Sequence, residues 1–318
     1  MALIIGLFLQ FIQITLIVVI APLVMGITRT VRARLLRRRG PPLFQMYRDL
    51  WKLMHKEAVV AHNASWLYRS APYFVFAATW VAAGLVPTYA TGLVFSWTAD
   101  LIAIVALLGT ARFALALAGM DIGTAFGGIG SSREMMIASL AEPAMILIAF
   151  TVALIAGTTQ LSAIATIFLT AETGLRVSLA LALLALIVVG IAENARIPVD
   201  NPATHLELTM VHEAMILEYS GRHLAMIEAA AAVKLVAYFS LIACLFFPFG
   251  MDIGDKSLAG ILLGIVSWIA KLAVLAVALP IVETSVAKMR VFRYPAFLGG
   301  AFAAAALAVF LRFVSRGF

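Results

Sequence analysis

Charged residues are scarce in this sequence of 318 residues. Lysine, arginine, aspartate and glutamate make up 12% of the chain, whereas hydrophobic residues make up 64%. Soluble domains contain about 25% charged residues, because their surfaces face water. So few charges cannot cover the surface of a protein of this size, and the composition therefore excludes a soluble globular fold.

Cysteine is nearly absent. The single cysteine, Cys244, excludes an intramolecular disulfide bond. A lone thiol also cannot hold an iron–sulfur cluster or a cysteine-based zinc site, since both need several thiolates. We therefore assign no metal site and no catalytic residue to this chain, and we expect any redox metal to lie in a partner protein. The net charge of +7 is interpreted through membrane topology and not as nucleic-acid binding.

Long apolar runs indicate an all-α, polytopic integral membrane protein. About 20 apolar residues in a helix span the hydrocarbon core of a bilayer, which is about 30 Å thick. Eight runs suit this role, and a shorter apolar piece at 161–170 is interpreted as an interfacial segment. The eight lie at about residues 3–27, 71–92, 101–118, 135–157, 177–192, 229–249, 258–282 and 295–314. We interpret 1–318 as one transmembrane domain.

The distribution of the 23 lysines and arginines predicts the orientation. Ten lie in residues 28–70, one in 119–134, two in 193–228 and three in 283–294, whereas the opposite loops and the C-terminus hold four. The positive-inside rule then places the basic loops in the cytoplasm and both termini outside it. The first span is longer than a signal-peptide core and has no basic residue before it, so we expect a retained anchor.

The first predicted cytoplasmic loop, 28–70, joins a basic run to an amphipathic helix. The run RTVRARLLRRRGPP contains six arginines, and apolar residues recur at helical spacing from Leu43 to Met54. A helix of this kind lies in the membrane plane. One interpretation of this loop is a charge cluster that sets the membrane topology, followed by an interfacial helix. The functional alternative is a landing platform that binds a soluble subunit or anionic lipid head groups.

The loop 193–228, AENARIPVDNPATHLELTMVHEAMILEYSGRHLAMIE, is acidic on the side where basic residues are expected. It contains six carboxylates and three of the five histidines. Asn201 and Pro202 suit the cap and first position of a helix. On that helix Glu207 and Glu218 would share one face, and His205 and His212 another. Such spacing suits a chain of proton-exchanging groups, and a solvated acidic loop is the alternative.

Four charged residues lie inside predicted spans, where each costs about 2.5–3.5 kcal/mol at a helix centre. Arg112 and Lys234 lie near predicted cytoplasmic ends, and we expect them to snorkel. Glu142 and Lys271 lie deeper, which favours a function in proton transfer.

The glycine-rich segment 119–134 is predicted to be a loop. The pairs Gly119/Gly123 and Gly260/Gly264 favour close helix packing or a turn.

Two motifs resemble one known family. AENARIPVD followed by EYSG resembles the signature AETNRxPFD…EYSG of the quinone-module membrane subunit of respiratory complex I, the subunit-1/H family. RRGPP…QMYRDLWKLMHKE is similar to that family's first-loop interfacial helix, and the spacing of Arg133 and Glu142 matches the start of its fourth span. The resemblance covers the whole chain.

One segment departs from the complex I form. PATHLE stands where that form has PEGESE, so Ala203 and His205 replace two acids while Glu207 remains. The stretch IPVDNPATHLELTMVHEAMILEYSG is instead similar to the membrane anchor of energy-converting group 4 nickel–iron hydrogenases, of the formate hydrogenlyase and hydrogenase-4 type.

This resemblance implies a membrane subunit, without redox centres of its own, of an oxidoreductase complex in the inner (cytoplasmic) membrane. It would dock hydrogenase-like large and small subunits and an iron–sulfur subunit, with iron–sulfur clusters and a nickel–iron centre in those partners. It would pass the redox reaction to antiporter-like subunits that move protons or sodium. The implied carboxylate funnel consists of Glu142, Glu193, Arg196, Asp200, Glu207, Glu218 and Glu228, to which the residue patterns add His205, His212, Glu213 and Lys271 as proton-transfer candidates. The implied subunit interface consists of Arg37, Arg38, Arg39, Gln45, Asp49, Lys52 and Glu57.

Three other interpretations remain open from the sequence. One is a quinone-site subunit of an NADH:quinone oxidoreductase, the subunit-H type. The others are a stand-alone cation transporter and a passive anchor.

Overall fold

The computed structural model describes residues 2–170, 177–196, 210–254, 257–286 and 293–314. The regular elements of these residues are α-helices, which confirms the predicted all-α fold. In chain order they are α1 (Ala2–Leu35), α2 (Gln45–Met54), α3 (Trp66–Leu85), α4 (Leu101–Asp121), α5 (Ala125–Ala156), α6 (Leu161–Thr170), α7 (Val177–Glu193), α8 (His212–Ile216), α9 (Gly221–Phe246), α10 (Leu258–Ser285) and α11 (Tyr294–Val314). The helix α2 confirms the amphipathic helix predicted in the first loop.

Six of these helices are long and apolar enough to cross a membrane, namely α1, α4, α5, α9, α10 and α11. The helices α3 and α7 correspond to the other two predicted spans, and the described part of α7 has 17 residues. The structure therefore confirms a polytopic membrane protein, and the count of eight spans stays a prediction. The apolar piece 161–170 forms α6, with Leu161 and Ile164 fully buried.

The helix α9 lies at the centre of the bundle. It packs against α1, α3 and α10, and nearly every residue from Ala230 to Leu245 is buried, including Cys244. A helix that is apolar on all sides belongs in such a position. Around it, α11 packs against α5 and α7, and α3 packs against α4.

Buried glutamines fasten α1 to the end of α3. The Gln13 side-chain amide donates to the carbonyls of Gly84 (2.8 Å) and Val86 (3.1 Å). The predicted span 71–92 was wrong at its end, because α3 stops at Leu85, just before Pro87. Proline lacks an N–H and disfavours helical geometry in the residue before it.

The predicted loop 119–134 was too long. Only Ile122–Thr124 separates α4 from α5, and the Thr124 hydroxyl caps α5 by accepting the Gly127 N–H at 3.2 Å. Gly123 has φ +69°, which lets the chain reverse in three residues. A Cβ on Gly127 would lie 2.2 Å from the Gly119 carbonyl oxygen, so close packing here is confirmed.

The helix predicted to run from Pro202 through Glu218 was also wrong within the described residues. Met210 and Val211 are not helical, and α8 has only five residues. The Arg133 guanidinium donates to the Met210 carbonyl at 2.9 Å at this interruption. His205 and His212 therefore share no continuous helix, and neither do Glu207 and Glu218.

Glycine at position 264 allows the closest approach between α10 and the loop after α3. A Cβ at Gly264 would lie 2.2 Å from the Tyr89 carbonyl oxygen, whereas one at Gly299 meets nothing within 4 Å. We expect Gly264→Ala to lower the free energy of unfolding by about 1–3 kcal/mol, the usual cost of overpacking. Thermal unfolding of the purified protein in mild detergent, followed by circular dichroism, measures this.

The matched control is Gly299→Ala on α11. It is expected to leave stability unchanged or to raise it by up to about 1 kcal/mol through helix propensity. Equal melting temperatures for the two variants would contradict the close packing at Gly264.

Candidate functional site: two charge clusters at one cavity

A cavity of about 240 Å³ opens between α1, α3, α4, α9 and the end of α7. Its walls combine apolar side chains, such as Val75 and Leu108, with an unusual number of charged ones. The charged side chains around it form two groups. The central cluster consists of Arg112, Glu134, Glu142, Glu193 and Lys234, and the outer cluster of Arg29, Arg32, Arg196, Glu228 and Glu283.

Glu193, the last residue of α7, is the hub of the central cluster. Its carboxylate pairs with the Arg112 guanidinium of α4 through one oxygen. The other oxygen lies 3.0 Å from the Lys234 ammonium nitrogen of α9. The Glu193 side chain is 1% exposed, so these pairs are shielded from water. Charges buried in this way interact strongly, and removing one of them leaves the others uncompensated.

The expectation that Arg112 and Lys234 only snorkel was wrong. The Arg112 side chain is 4% exposed and points into the bundle toward Glu193. Lys234 points to the same carboxylate. Carboxylates inside the bundle therefore pair with these two cations. The positions of the predicted spans along the sequence do not reveal this pairing.

Two carboxylates of α5 flank Arg112. Glu134 lies 3.6 Å and Glu142 3.9 Å from guanidinium nitrogens. The Glu142 side chain is 45% exposed, so it reaches from Arg112 to the outside of the bundle. Gly109 makes room for it, because a Cβ there would lie 3.2 Å from the Glu142 Oε1 atom. The central cluster thus extends from the cavity wall to an outer face of α5.

The outer cluster joins α1, α9, α10 and the chain after α7. Glu283 of α10 lies 3.7 Å from nitrogens of both Arg32 and Arg196, and its side chain is 1% exposed. Arg29 and Glu228 form a more exposed pair at 3.8 Å. Burial lowers the pKa of the Arg196 guanidinium, and the Glu283 carboxylate opposes this shift.

The EYSG motif fastens the acidic loop to the basic first loop. Tyr219 stacks on Tyr68 with ring centroids 4.1 Å apart and donates to the Tyr68 carbonyl at 2.9 Å. Ser220 exchanges hydrogen bonds with the backbone of Val59 in both directions. Gly221 has φ +53°, and a Cβ there would lie 2.4 Å from the Glu57 carbonyl oxygen. Burial raises the pKa of the Tyr219 hydroxyl, which suits a neutral packing role.

The structure brings several predicted proton-transfer residues to this site. Glu142, Glu193, Arg196 and Glu228 belong to the clusters, and His212 and Glu213 line the cavity. Glu218 is exposed on the turn after α8. Lys271 donates instead to the Phe249 carbonyl in the loop between α9 and α10. Asp200, His205 and Glu207 lie outside the described residues.

Sequence reasoning missed Glu134 and Glu283. Glu283 lies one residue beyond the predicted end of the seventh span, and Glu134 lies in the supposed glycine-rich loop, so neither was counted among the intramembrane charges. The arginine and lysine inside the predicted spans could have revealed them, because cations buried in a membrane need carboxylates nearby as partners.

The predicted subunit-interface residues lie on an open surface. Arg37, Arg38, Arg39, Lys52 and Glu57 are exposed, and the Gln45 amide donates to the Asp49 carboxylate at 2.8 Å on α2. Large apolar side chains nearby are also exposed, including Phe44 (59%) and Trp51 (70%). This surface combines cationic and apolar groups.

Among the described residues, no group of three or more histidine, cysteine, aspartate or glutamate side chains is placed to hold a metal ion. The charged side chains described around the cavity are joined by ion pairs.

Comparison with known proteins agrees with this architecture. Residues 8–314 match the family model described as NADH dehydrogenase. The chain belongs to the NADH dehydrogenase family. Two relatives from Escherichia coli (strain K12) are Hydrogenase-4 component C, 35% identical over 87% of each chain, and Formate hydrogenlyase subunit 4, 32% identical over 96% of each chain. The resemblance inferred from the motifs is thereby confirmed.

A solved structure supports the fold alone. One chain of the membrane-bound sulfane sulfur reductase, an archaeal respiratory membrane complex, aligns with a TM-score of 0.75 at 22% identity. The alignment covers 95% of this chain and 99% of that chain.

Arg112 is the cation on which the central cluster depends. We expect Arg112→Met to lower the free energy of unfolding by about 3–5 kcal/mol, because it leaves buried carboxylates without their guanidinium partner. Thermal unfolding in mild detergent measures the change.

The control is Arg69→Met, which removes an exposed arginine from α3. It is expected to change stability by no more than about 0.5 kcal/mol. Equal stability of the two variants would show that the central cluster contributes nothing to folding.

Proposed function

We propose that this chain is the membrane subunit of a complex I-like, ion-translocating group 4 nickel–iron hydrogenase of the formate hydrogenlyase type. It docks the soluble redox subunits and couples their electron transfer to the movement of protons or sodium ions. The observation that carries the proposal is Glu193, a carboxylate buried between Arg112 and Lys234 at the wall of the cavity. The two hydrogenase relatives support the choice of complex.

The central cluster supplies the proposed proton path. Two cations, Arg112 and Lys234, lie among the three carboxylates of the cluster. A change of charge at the cavity would therefore change which of these carboxylates is most stable in its ionised form. Such coupled groups exchange protons as a unit. A redox step in a docked subunit would change the charge at the cavity and shift a proton between Glu193 and its neighbours.

Glu142 is the proposed outlet of this path. It contacts Arg112 on one side, and nearly half of its side chain is exposed on the other. An exposed carboxylate at membrane depth is costly in lipid, so this face suits contact with a partner membrane subunit. We assign antiporter-like subunits to that face.

The basic surface of the first loop is the proposed docking platform. Its exposed arginines and the apolar residues of α2 suit a soluble subunit with an acidic and partly apolar surface. The EYSG contacts join the first loop to the chain after α8, and His212 and Glu213 of α8 line the cavity, so docking at the platform is proposed to act on the cavity through α8.

Metal centres in this scheme belong to the partners. The proposed complex holds iron–sulfur clusters and a nickel–iron centre in its soluble subunits, and these supply the electron transfer. This chain contributes the ionisable groups inside the membrane that respond to a change of charge in the soluble subunits.

Purification of the intact complex tests the proposed assembly. We expect the affinity-tagged chain, extracted in mild detergent, to recover hydrogenase-like and iron–sulfur subunits together with nickel and iron. Mass spectrometry identifies the proteins, and elemental analysis measures the metals. Quinone reductase activity without nickel would favour the subunit-H interpretation, and cation transport by the purified chain alone would favour a stand-alone carrier.

Charge removal tests the proposed path. In inverted membrane vesicles we expect Glu193→Gln and Glu142→Gln to abolish ion translocation, because each amide can no longer exchange a proton, while hydrogen evolution from an artificial reductant continues. Dyes sensitive to pH and to sodium measure translocation. Since Glu142 is half-exposed, its variant retains the fold even if Glu193→Gln does not.

Asp100→Asn is the matched control. Asp100 caps α4 at a distance from both clusters, and asparagine caps equally well. Normal translocation by both glutamate variants would refute the path.

A further inference from the structure

Glu283 is a buried carboxylate that the proposed path does not use. It lies near the end of α10 with a side chain that is 1% exposed, and it belongs to none of the sequence motifs. Ionisable groups inside membrane-spanning segments are costly, so a function is the default explanation.

Arginines from two other elements meet this carboxylate. Arg32 of α1 lies 3.7 Å from one oxygen, and Arg196 lies 3.7 Å from the other. The separations exceed hydrogen-bond length, so the contacts are ionic attractions. Arg196 is also held by the Met25 sulfur of α1 at 2.7 Å. The chain that leaves α7 is therefore anchored to α1 and α10.

The turn after α7 connects this anchor to the central cluster. The Arg196 N–H donates to the Ile191 carbonyl at 3.0 Å, and the Ala195 N–H donates to the Ala192 carbonyl at 3.1 Å. This pair of bonds, with Ala195 at φ +49°, defines a Schellman turn. The turn runs from Ile191 to Arg196, and Glu193 lies within it. A displacement of Arg196 must therefore be transmitted to the backbone that carries Glu193.

Ala195, within this turn, has a left-handed backbone conformation. A residue other than glycine rarely adopts a positive φ, and such backbone persists only when surrounding contacts enforce it. The contacts that Arg196 makes with Glu283 and Met25 lie immediately after this residue. They are the side-chain contacts that hold the far end of the turn in place.

We propose that Glu283 is a positioning residue for the central cluster. By holding Arg196 it keeps the α7 turn in the conformation that presents Glu193 to Arg112 and Lys234. Glu283 acts only through Arg196 and exchanges no proton itself. The inference rests on the proposed function, because its effect is read out as coupling between redox turnover and ion movement.

The test compares charge removal with conservative replacement in the intact complex. We expect Glu283→Gln to lower the number of ions translocated per hydrogen molecule by about threefold or more, within the range of known coupling mutations. Hydrogen evolution from an artificial reductant and recovery of subunits should stay at the wild-type level. Glu283→Asp, which keeps the charge, should restore most of the ratio, and Asp100→Asn should leave it unchanged.

A double variant tests the route through Arg196. Arg196→Gln should lower the ratio as Glu283→Gln does, and the double variant should fall no further than either single one, because both substitutions remove the Arg196–Glu283 pair through which Glu283 is proposed to act. Additive losses would overturn the proposed link. A loss that Glu283→Asp does not recover would overturn the role of the charge.

Two outcomes separate this inference from the proposed function. If Glu283→Gln keeps the full ratio while Glu193→Gln abolishes translocation, the positioning role is wrong and the proposed function stands. If Glu193→Gln also translocates normally, the proposed function itself fails.

Discussion

Glu193 sits between a guanidinium and an ammonium group in a bundle of otherwise apolar helices. Charges so placed must meet within a few ångströms, because any one of them left alone would be very costly. The side chains of the cluster thereby link α7 to both α4 and α9. A small residue allows α7 and α9 to pack closely near this cluster, because a Cβ on Gly190 of α7 would lie 3.3 Å from the ring of Tyr238 on α9. The central cluster is therefore a constraint on the fold as well as a candidate site.

The two loops on the predicted cytoplasmic side contact each other directly. The basic loop and the loop carrying Glu193 are joined by Tyr68 and Tyr219, by Ser220 and Val59, and by the close approach of Gly221 to Glu57. Tyr219, Ser220 and Gly221 make these contacts without charged groups. The aromatic ring stacks, the hydroxyl forms hydrogen bonds, and the glycine allows the close backbone approach. These contacts lie between the chain after α2 and the chain after α8, and His212 and Glu213 of α8 line the cavity.

The sequence predicted the helical class, the interfacial helix and part of the site, because these depend on local periodicity and on a signature motif. It did not predict that Arg112 and Lys234 turn inward, since this depends on which helices neighbour one another. Glu283 was missed because it lies one residue beyond the predicted seventh span, and its pairing with Arg196 depends on the fold. The helix predicted beyond Pro202 is interrupted at Met210 and Val211, where the Met210 carbonyl accepts a hydrogen bond from Arg133, a residue distant in sequence. Features that depend on short-range sequence patterns could therefore be predicted, whereas features that depend on pairing between distant residues could not.

Cys244, the single thiol of the chain, is 1% exposed within α9. The surface of the protein therefore carries no cysteine that a water-soluble reagent could reach. A cysteine introduced on the exposed side of α2 and another on the turn after α8 would be the only accessible labelling sites, with no need to alter the native sequence elsewhere. Spin labels there would follow the distance between the two loops while the complex turns over.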